Sequence, residues 1–241
     1  TEVSSVDVYS KRVMTSKGDY DYDKLIYALG ARCFIAPIQG ADAPHVVSVR
    51  NIADTEKVKS LLKPGANVVC IGGGVMGLEA AWELKQGGCR VTVLEGAPGL
   101  LPKQLDDKAS AMLEGIVTSC GIDVVTGAGI SQITASDVKL NDGRSFAADL
   151  VIMSTGMRPN TAIAEAAGIK TENGFICVDA HMHTSAADVY ACGDCVTYDG
   201  QPQAFWAQAS ETGRIAGADA AGEPLTYSPL SGSLSINAFN T

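Results

Sequence analysis

The sequence predicts an α/β fold built on a parallel β-sheet, and three observations carry that expectation. The apolar run Asn67–Ile71 passes straight into Gly72-Gly73-Gly74 and a helical pattern that stops at Gly87-Gly88. A second passage follows through the strand Arg90–Glu95, a helix over about Asp106–Ser119 and the strand Ile122–Thr126, completing a βαβαβ unit whose crossovers make a right-handed parallel sheet. Finally, Val68–Ile71 and Asp149–Ser154 are almost continuously apolar, as strands buried on both faces are.

From the N-terminus, Val6–Val13 and Asp23–Leu29 read as strands around the polar turn Ser16–Asp21, and Ala31–Ala43 as a connection bearing Pro and Gly. Asn51–Leu62 reads as a short amphipathic helix ending at Lys63-Pro64-Gly65. Beyond the βαβαβ unit, Ile130–Ala135 and Val138–Leu140 are expected to form a β-meander turned by Asn141-Asp142-Gly143. The alanine-rich stretch Gln203–Ala221 reads as the last long helix, and no internal repeat is evident.

Composition excludes several classes. At 241 residues the chain can bury one large or two small cores. Hydrophobic residues make up 46%, yet no run is long enough to span a bilayer, so membrane insertion is excluded. A formal net charge of −9 without a Lys/Arg cluster argues against nucleic acid. Seven scattered Cys do not read as a disulfide framework, and a cytoplasmic setting is expected. The opening TEVSSVDVYSKR has no signal-peptide pattern; starting in strand-like material without an initiator Met, it is expected to be a piece of a longer chain.

The glycine-rich turn carries the chemistry. Gly72 makes the tight turn out of the strand, Gly74 lets the backbone approach a pyrophosphate, and Gly77 lets the helix pack near the strand. The free N–H groups of the helix's first turn, Val75 and Met76 among them, face the phosphates. Glu95 ends the next strand at roughly the spacing of about 20 residues where an acid accepts hydrogen bonds from an adenosine ribose. A carboxylate there repels a 2′-phosphate and Gly96-Ala97-Pro98 offers no Arg, so NAD(H) is expected over NADP(H). The alternative is a structural strand–turn–helix with Glu95 a solvated strand end, which the register of Glu95 to Gly72 disfavours.

Four phrases now fall into one order: YDKLIYALGA (22–31), GGGVMGLE (72–79), STGMRPN (154–160) and VYACGDC (189–195). Together they resemble the FAD- and NAD(P)-dependent pyridine nucleotide-disulfide oxidoreductase superfamily. The resemblance implies a Rossmann-like NAD-binding domain over 43–159, inserted in a partial FAD-binding domain of the same three-layer type that occupies 1–42 as a remnant and 160–241 as a second segment. It implies that Asp194, with Gly193, binds the ribityl or pyrophosphate region of FAD, and that Gly156 belongs to the cofactor-binding set. It also implies that Glu79 faces nicotinamide and flavin, where the bare sequence would allow a helix-surface acid. Two departures stand out. Leu29 replaces the family's usual Thr in Ala28-Leu29-Gly30, and only one GxGxxG unit is present, so the first half of the FAD domain is expected to lie outside this chain.

The activity implied is that of an NADH-dependent flavoprotein oxidoreductase, passing hydride to FAD and electrons onward to an acceptor, with any redox-active cysteine upstream of residue 1. The apolar tail helix followed by AGEPLTYSP (221–229) is similar to the branch holding rubredoxin reductases, NADH oxidases and the flavin part of assimilatory nitrite reductases. The expected cofactors are NAD(H) and, in the intact protein, FAD, which these residues alone are not expected to retain. A small redox protein is a compatible partner and a homodimer a compatible assembly. The rival function is an NAD-binding module without turnover. Cys192 and Cys195 have CxxC spacing but sit inside a flavin-contact turn, where a dithiol role is not expected. His181 and His183 lack further ligand signatures and read as a surface pair, with no metal expected. Trp206 reads either as a flavin- or acceptor-facing ring or as an ordinary half-buried Trp.

Overall fold

The computed structural model describes residues 1–230 and 235–239. The chain divides into two compact units, one of Thr1–Arg32 with Met157–Leu234 and one of Cys33–Gly156 with Ser235–Thr241.

The chain opens with an antiparallel meander of β1 (Val3–Asp7), β2 (Arg12–Thr15) and β3 (Gly18–Asp21), followed by β4 (Leu25–Tyr27) and β5 (Ala31–Cys33). The single strand expected over Val6–Val13 is therefore two. Asp7 Oδ1 accepts the N–H groups of Tyr9 at 2.9 Å and Ser10 at 3.1 Å, and Lys11 takes a positive φ of 50°, which reverses the chain. The expected turn over Ser16–Asp21 is likewise mostly strand. All four residues of β3 are exposed, so no apolar alternation marks it.

The second unit follows the expected plan closely. In chain order it runs β6 (Val46–Val47), α1 (Ile52–Leu61), β7 (Asn67–Ile71), α2 (Val75–Gln86), β8 (Arg90–Leu94), α3 (Asp107–Ser119) and β9 (Asp123–Val125). An antiparallel meander of β10 (Ile130–Ile133), β11 (Asp137–Leu140) and β12 (Ser145–Ala147) precedes β13 (Leu150–Met153), which returns to the sheet. The sheet order is β6-β13-β7-β8-β9, every pair parallel. Side chains alternate across it: Val68, Cys70, Val91 and Val93 pack with Leu78, Ala81 and Leu84 of α2, while Val69, Ile71 and Leu94 pack on the other face with Ile133, Val138 and Leu140 of the meander. Both faces are covered, which is why these strands read as unbroken apolar runs.

Helix ends explain where the site opens. At α1, Asn51 Oδ1 accepts the N–H of Asp54 and Asp54 Oδ2 accepts that of Asn51, both at 3.0 Å. At α3, Asp106 Oδ1 accepts the N–H of Ala109 at 2.8 Å. No side chain caps α2, which starts from Gly74.

The first unit resumes with β14 (Met157–Pro159), α4 (Ala162–Ala166), β15 (Thr171–Glu172), β16 (Phe175–Val178) and β17 (Val189–Ala191). A single 3₁₀ turn at Gly193–Cys195, β18 (Val196–Tyr198), β19 (Gln201–Pro202) and α5 (Trp206–Ala220) complete it. Besides the opening meander it has the sheet β15-β16-β18-β19, the parallel pair β4–β17 and the pair β5–β14. The last helix begins three residues later than its alanine-rich composition suggested, at Trp206, after Gln208 Oε1 accepts the N–H of Phe205 at 3.2 Å.

Candidate functional site

At the carboxyl ends of β7 and β8 the second unit holds a cavity of about 530 Å³, where parallel strands and helix N-termini ordinarily meet a ligand. Gly72, Gly74, Val75, Glu95 and Gly156 line it. The glycines differ in what they permit. Gly72 has φ +111° and lies against the carbonyl of Ser154, so a side chain there would be strained and would collide. A Cβ on Gly77 would overlap the carbonyl oxygen of Gly72, which is how this position lets α2 seat against the strand. A Cβ on Gly74, which lines the cavity, would meet nothing within 4 Å.

Glu95 lies one residue beyond the end of β8. Its Oε2 accepts the N–H of Gly73 at 2.5 Å and its Oε1 that of Ala97 at 2.7 Å. Each carboxylate oxygen keeps a second lone pair for an incoming hydroxyl. Gly73, which the sequence pattern did not single out, is held tightly: a Cβ there would stand 2.6 Å from Leu100 Cδ2 and 3.1 Å from Glu95 Cβ.

Lys103 also lines the cavity and was missed. The turn that carries it is fastened to the glycine loop by Leu101, whose N–H donates to the carbonyl of Gly73 at 3.0 Å and whose φ is +50°. Among the described residues lining the cavity, Glu95 and Lys103 are the charged ones.

Met76 and Glu79 are not among the residues lining this first cavity. Both line a second cavity of about 440 Å³, bounded mainly by α1 and α2, and Met76 is 60% exposed. Ser154 lines both cavities, so the two spaces share that wall.

In the first unit Gly193, with φ +76°, and the half-buried Asp194 form the turn directly after β17, at the carboxyl end of the parallel pair β4–β17. Thr212 of α5, fully buried, accepts the N–H of Gly193 through Oγ1 at 3.1 Å and so fixes the turn. Beside it, burial and then the neighbouring Cys195 push the Cys192 thiol up to about 11, and burial also raises Cys195. Cys195 Sγ donates to the carbonyl of Cys192 at 3.3 Å. Such thiols stay protonated at neutral pH and are poor nucleophiles. Trp206 is 86% exposed, not half-buried. His181 and His183 bond to carboxylates and backbone, and among the described residues no group of three His, Cys, Asp or Glu side chains is placed to hold a metal ion.

A family model described as pyridine nucleotide-disulphide oxidoreductase matches residues 1–221. The chain belongs to this family. It is 33% identical over 205 residues to the nitric oxide reductase FlRd-NAD(+) reductase of Vibrio vulnificus (strain YJ016), covering 83% of this chain and 53% of that protein. It is similar, at 26% identity and a TM-score of 0.92, to the reductase fold in the crystal structure of the covalent putidaredoxin reductase-putidaredoxin complex, over 99% of this chain and 61% of that one. It is also similar to an FAD-dependent pyridine nucleotide-disulphide oxidoreductase from Desulfovibrio vulgaris, at 31% identity and a TM-score of 0.83 over 94% of this chain and 62% of that one. The chain spans about half the length of the curated relative it matches. Among the described residues of this family member, no helix is long and apolar enough to cross a membrane.

Proposed function

We propose that the protein takes hydride from NADH, through FAD, and delivers electrons to an acceptor. The observation that carries this is the carboxylate of Glu95 at the tip of β8, beside an uncapped helix N-terminus and in one cavity with Gly72 and Gly74. The NAD-binding part expected over 43–159 shares residues 43–156 with the second compact unit. The first unit, carrying Gly193 and Asp194, would hold the flavin.

In this proposal each group has a separate task. The first-turn N–H groups of α2 meet the pyrophosphate, with Lys103 as counter-charge, and Gly74 leaves room for it. Glu95 accepts the adenosine ribose hydroxyls and disfavours a 2′-phosphate. Past Ser154, Glu79 lines the space open to the nicotinamide half. Asp194 and Gly193 fit FAD by placement: an acid and a left-handed glycine at the carboxyl end of parallel strands, held by Thr212. Flavin supplies the chemistry by which a hydride donor serves a range of acceptors.

A small redox protein is the acceptor class favoured, supported by the similarity to putidaredoxin reductase in its putidaredoxin complex. Seven free cysteines support a cytoplasmic setting, and a homodimer is compatible with the chain. The rival, an NAD-binding module without turnover, draws on the closed core of the second unit.

Titration of NADH and NADPH, with a visible absorption spectrum of the same sample, tests the proposal. NADH is expected to bind the more tightly. Equal affinity would remove Glu95 from its role, and a full-length protein without flavin absorbance would favour the rival.

A further inference from the structure

Both ring nitrogens of His183 face carboxylates. Nδ1 lies 2.9 Å from Asp179 Oδ2 and Nε2 lies 3.1 Å from Asp219 Oδ1. A carboxylate oxygen only accepts, and a neutral imidazole has a single N–H, so the two contacts are both hydrogen bonds only when the ring carries two protons. We propose that His183 is a proton-operated clasp, fastening the last turn of α5 to the turn that precedes β17 and losing one of its two arms when it deprotonates.

Both arms are fixed in place. Asp179 Oδ1 accepts the N–H groups of His181 at 2.8 Å and His183 at 2.9 Å, and Met182, with φ +65°, closes the turn by donating to the carbonyl of Asp179 at 3.0 Å. Asp219, its side chain 11% exposed, also accepts from the Tyr190 hydroxyl of β17 at 3.0 Å. Its Oδ2 lies 3.6 Å from His181 Nδ1, which in turn lies 2.9 Å from the carbonyl of Leu225. Lys24 Nζ stands 3.3 Å from the Tyr190 hydroxyl. Among the described residues, the charged and titratable groups that these contacts bring to the ring are Asp179 and His181 from its own turn, Tyr190 from β17, Asp219 from α5 and Lys24 beyond Tyr190.

Partial burial works against charge on His183, but the hydrogen bonds and charges of Asp179 and Asp219 outweigh it and hold its pKa above the ordinary histidine value. A pKa raised on folding gives stability that is complete below the unfolded value of about 6.5 and is lost as pH climbs through the folded value. At the acid end, burial disfavours the Asp179 carboxylate, yet the ring of His183 and the N–H groups of His183 and His181 lower its pKa overall, so that arm fails only well into the acid range.

The clasp acts on a helix with a second duty. Asp219 follows Thr212 by seven residues on α5, two turns along the same face, and Thr212 holds the Gly193 N–H. Opening the clasp should loosen the Gly193–Asp194 turn. Only the bearing of that on flavin rests on the function proposed above; the clasp does not.

The test is a ring-nitrogen NMR titration of the full protein and its Asp219→Asn variant, from about pH 5.5 to about pH 8.5, with amide-exchange protection at Gly193. His183 is expected to titrate above about 6.5, Asp219→Asn to lower its midpoint, and Gly193 protection to fall as it deprotonates. A midpoint at or below that value, or one unmoved by Asp219→Asn, overturns the clasp. In His183→Gln the fall in melting temperature across the same range should disappear; if it persists, the clasp is wrong. Should that variant not fold, the wild-type titration decides. None of these readouts needs NADH or flavin to bind, so failure of the proposed function would be seen separately.

Discussion

Glu95 reaches back from the tip of β8 to accept the N–H of Gly73 at 2.5 Å, so the candidate ribose ligand is also a strut of the glycine loop. Replacing Glu95 with Gln keeps the shape but turns an NH₂ towards one of two N–H donors, Gly73 or Ala97. NADH affinity is expected to drop by about 1–3 kcal/mol and the preference over NADPH to narrow. Calorimetric titration of both nucleotides measures this; an unchanged NADH affinity would leave Glu95 with the strut role alone.

Gly74 and Gly77 separate binding from folding. In Gly74→Val the new Cβ meets no protein atom within 4 Å at a position that lines the cavity, so the variant should melt near the wild type yet bind no NADH. In Gly77→Ala the new Cβ overlaps the Gly72 carbonyl, so melting temperature should fall as well. Melting curves and NADH titrations on both variants decide; tight binding by a folded Gly74→Val protein would place the dinucleotide elsewhere.

Lys103 brings the cation to a cavity in a chain of net charge −9. Lys103→Met should weaken NADH several-fold at low salt and flatten the salt dependence of binding, because one screened attraction to phosphate is gone. The check is the slope of affinity against ionic strength. Parallel slopes for the two proteins would remove Lys103 from the site.

Cys192 and Cys195 should be dispensable. With the Cys192 thiol at about 11, alkylation at neutral pH should be slow, and on the function proposed above the intact protein carrying Cys192→Ser and Cys195→Ser should keep flavin and turnover. Retained flavin with lost turnover towards every acceptor would restore the dithiol role.

Much of the site was legible because it is local. Strand β7, the glycines after it, helix α2 and Glu95 fall within residues 67–95, and a strand buried on both faces leaves an apolar run that ends where the loop begins. The starts of the two helices read near Asn51 and Asp106 are equally local, each fixed by a side chain that bonds three residues ahead. In the opening meander Gly18–Asp21 was misread because an exposed strand carries no burial period, so it could only be found through its partner β2.

By itself, then, the sequence determined the parallel sheet, the glycine loop and the acid that follows it, since each is set by side-chain type and short spacing. Tertiary structure alone decided the rest. It turned Lys103 back to the glycine loop through the Leu101–Gly73 backbone bond, assigned Glu79 and Glu95 to different cavities, and set His183 against Asp219, 36 residues away. Those relationships depend on how loops close and helices seat on the sheet, and no periodicity within one segment encodes the partner it will meet.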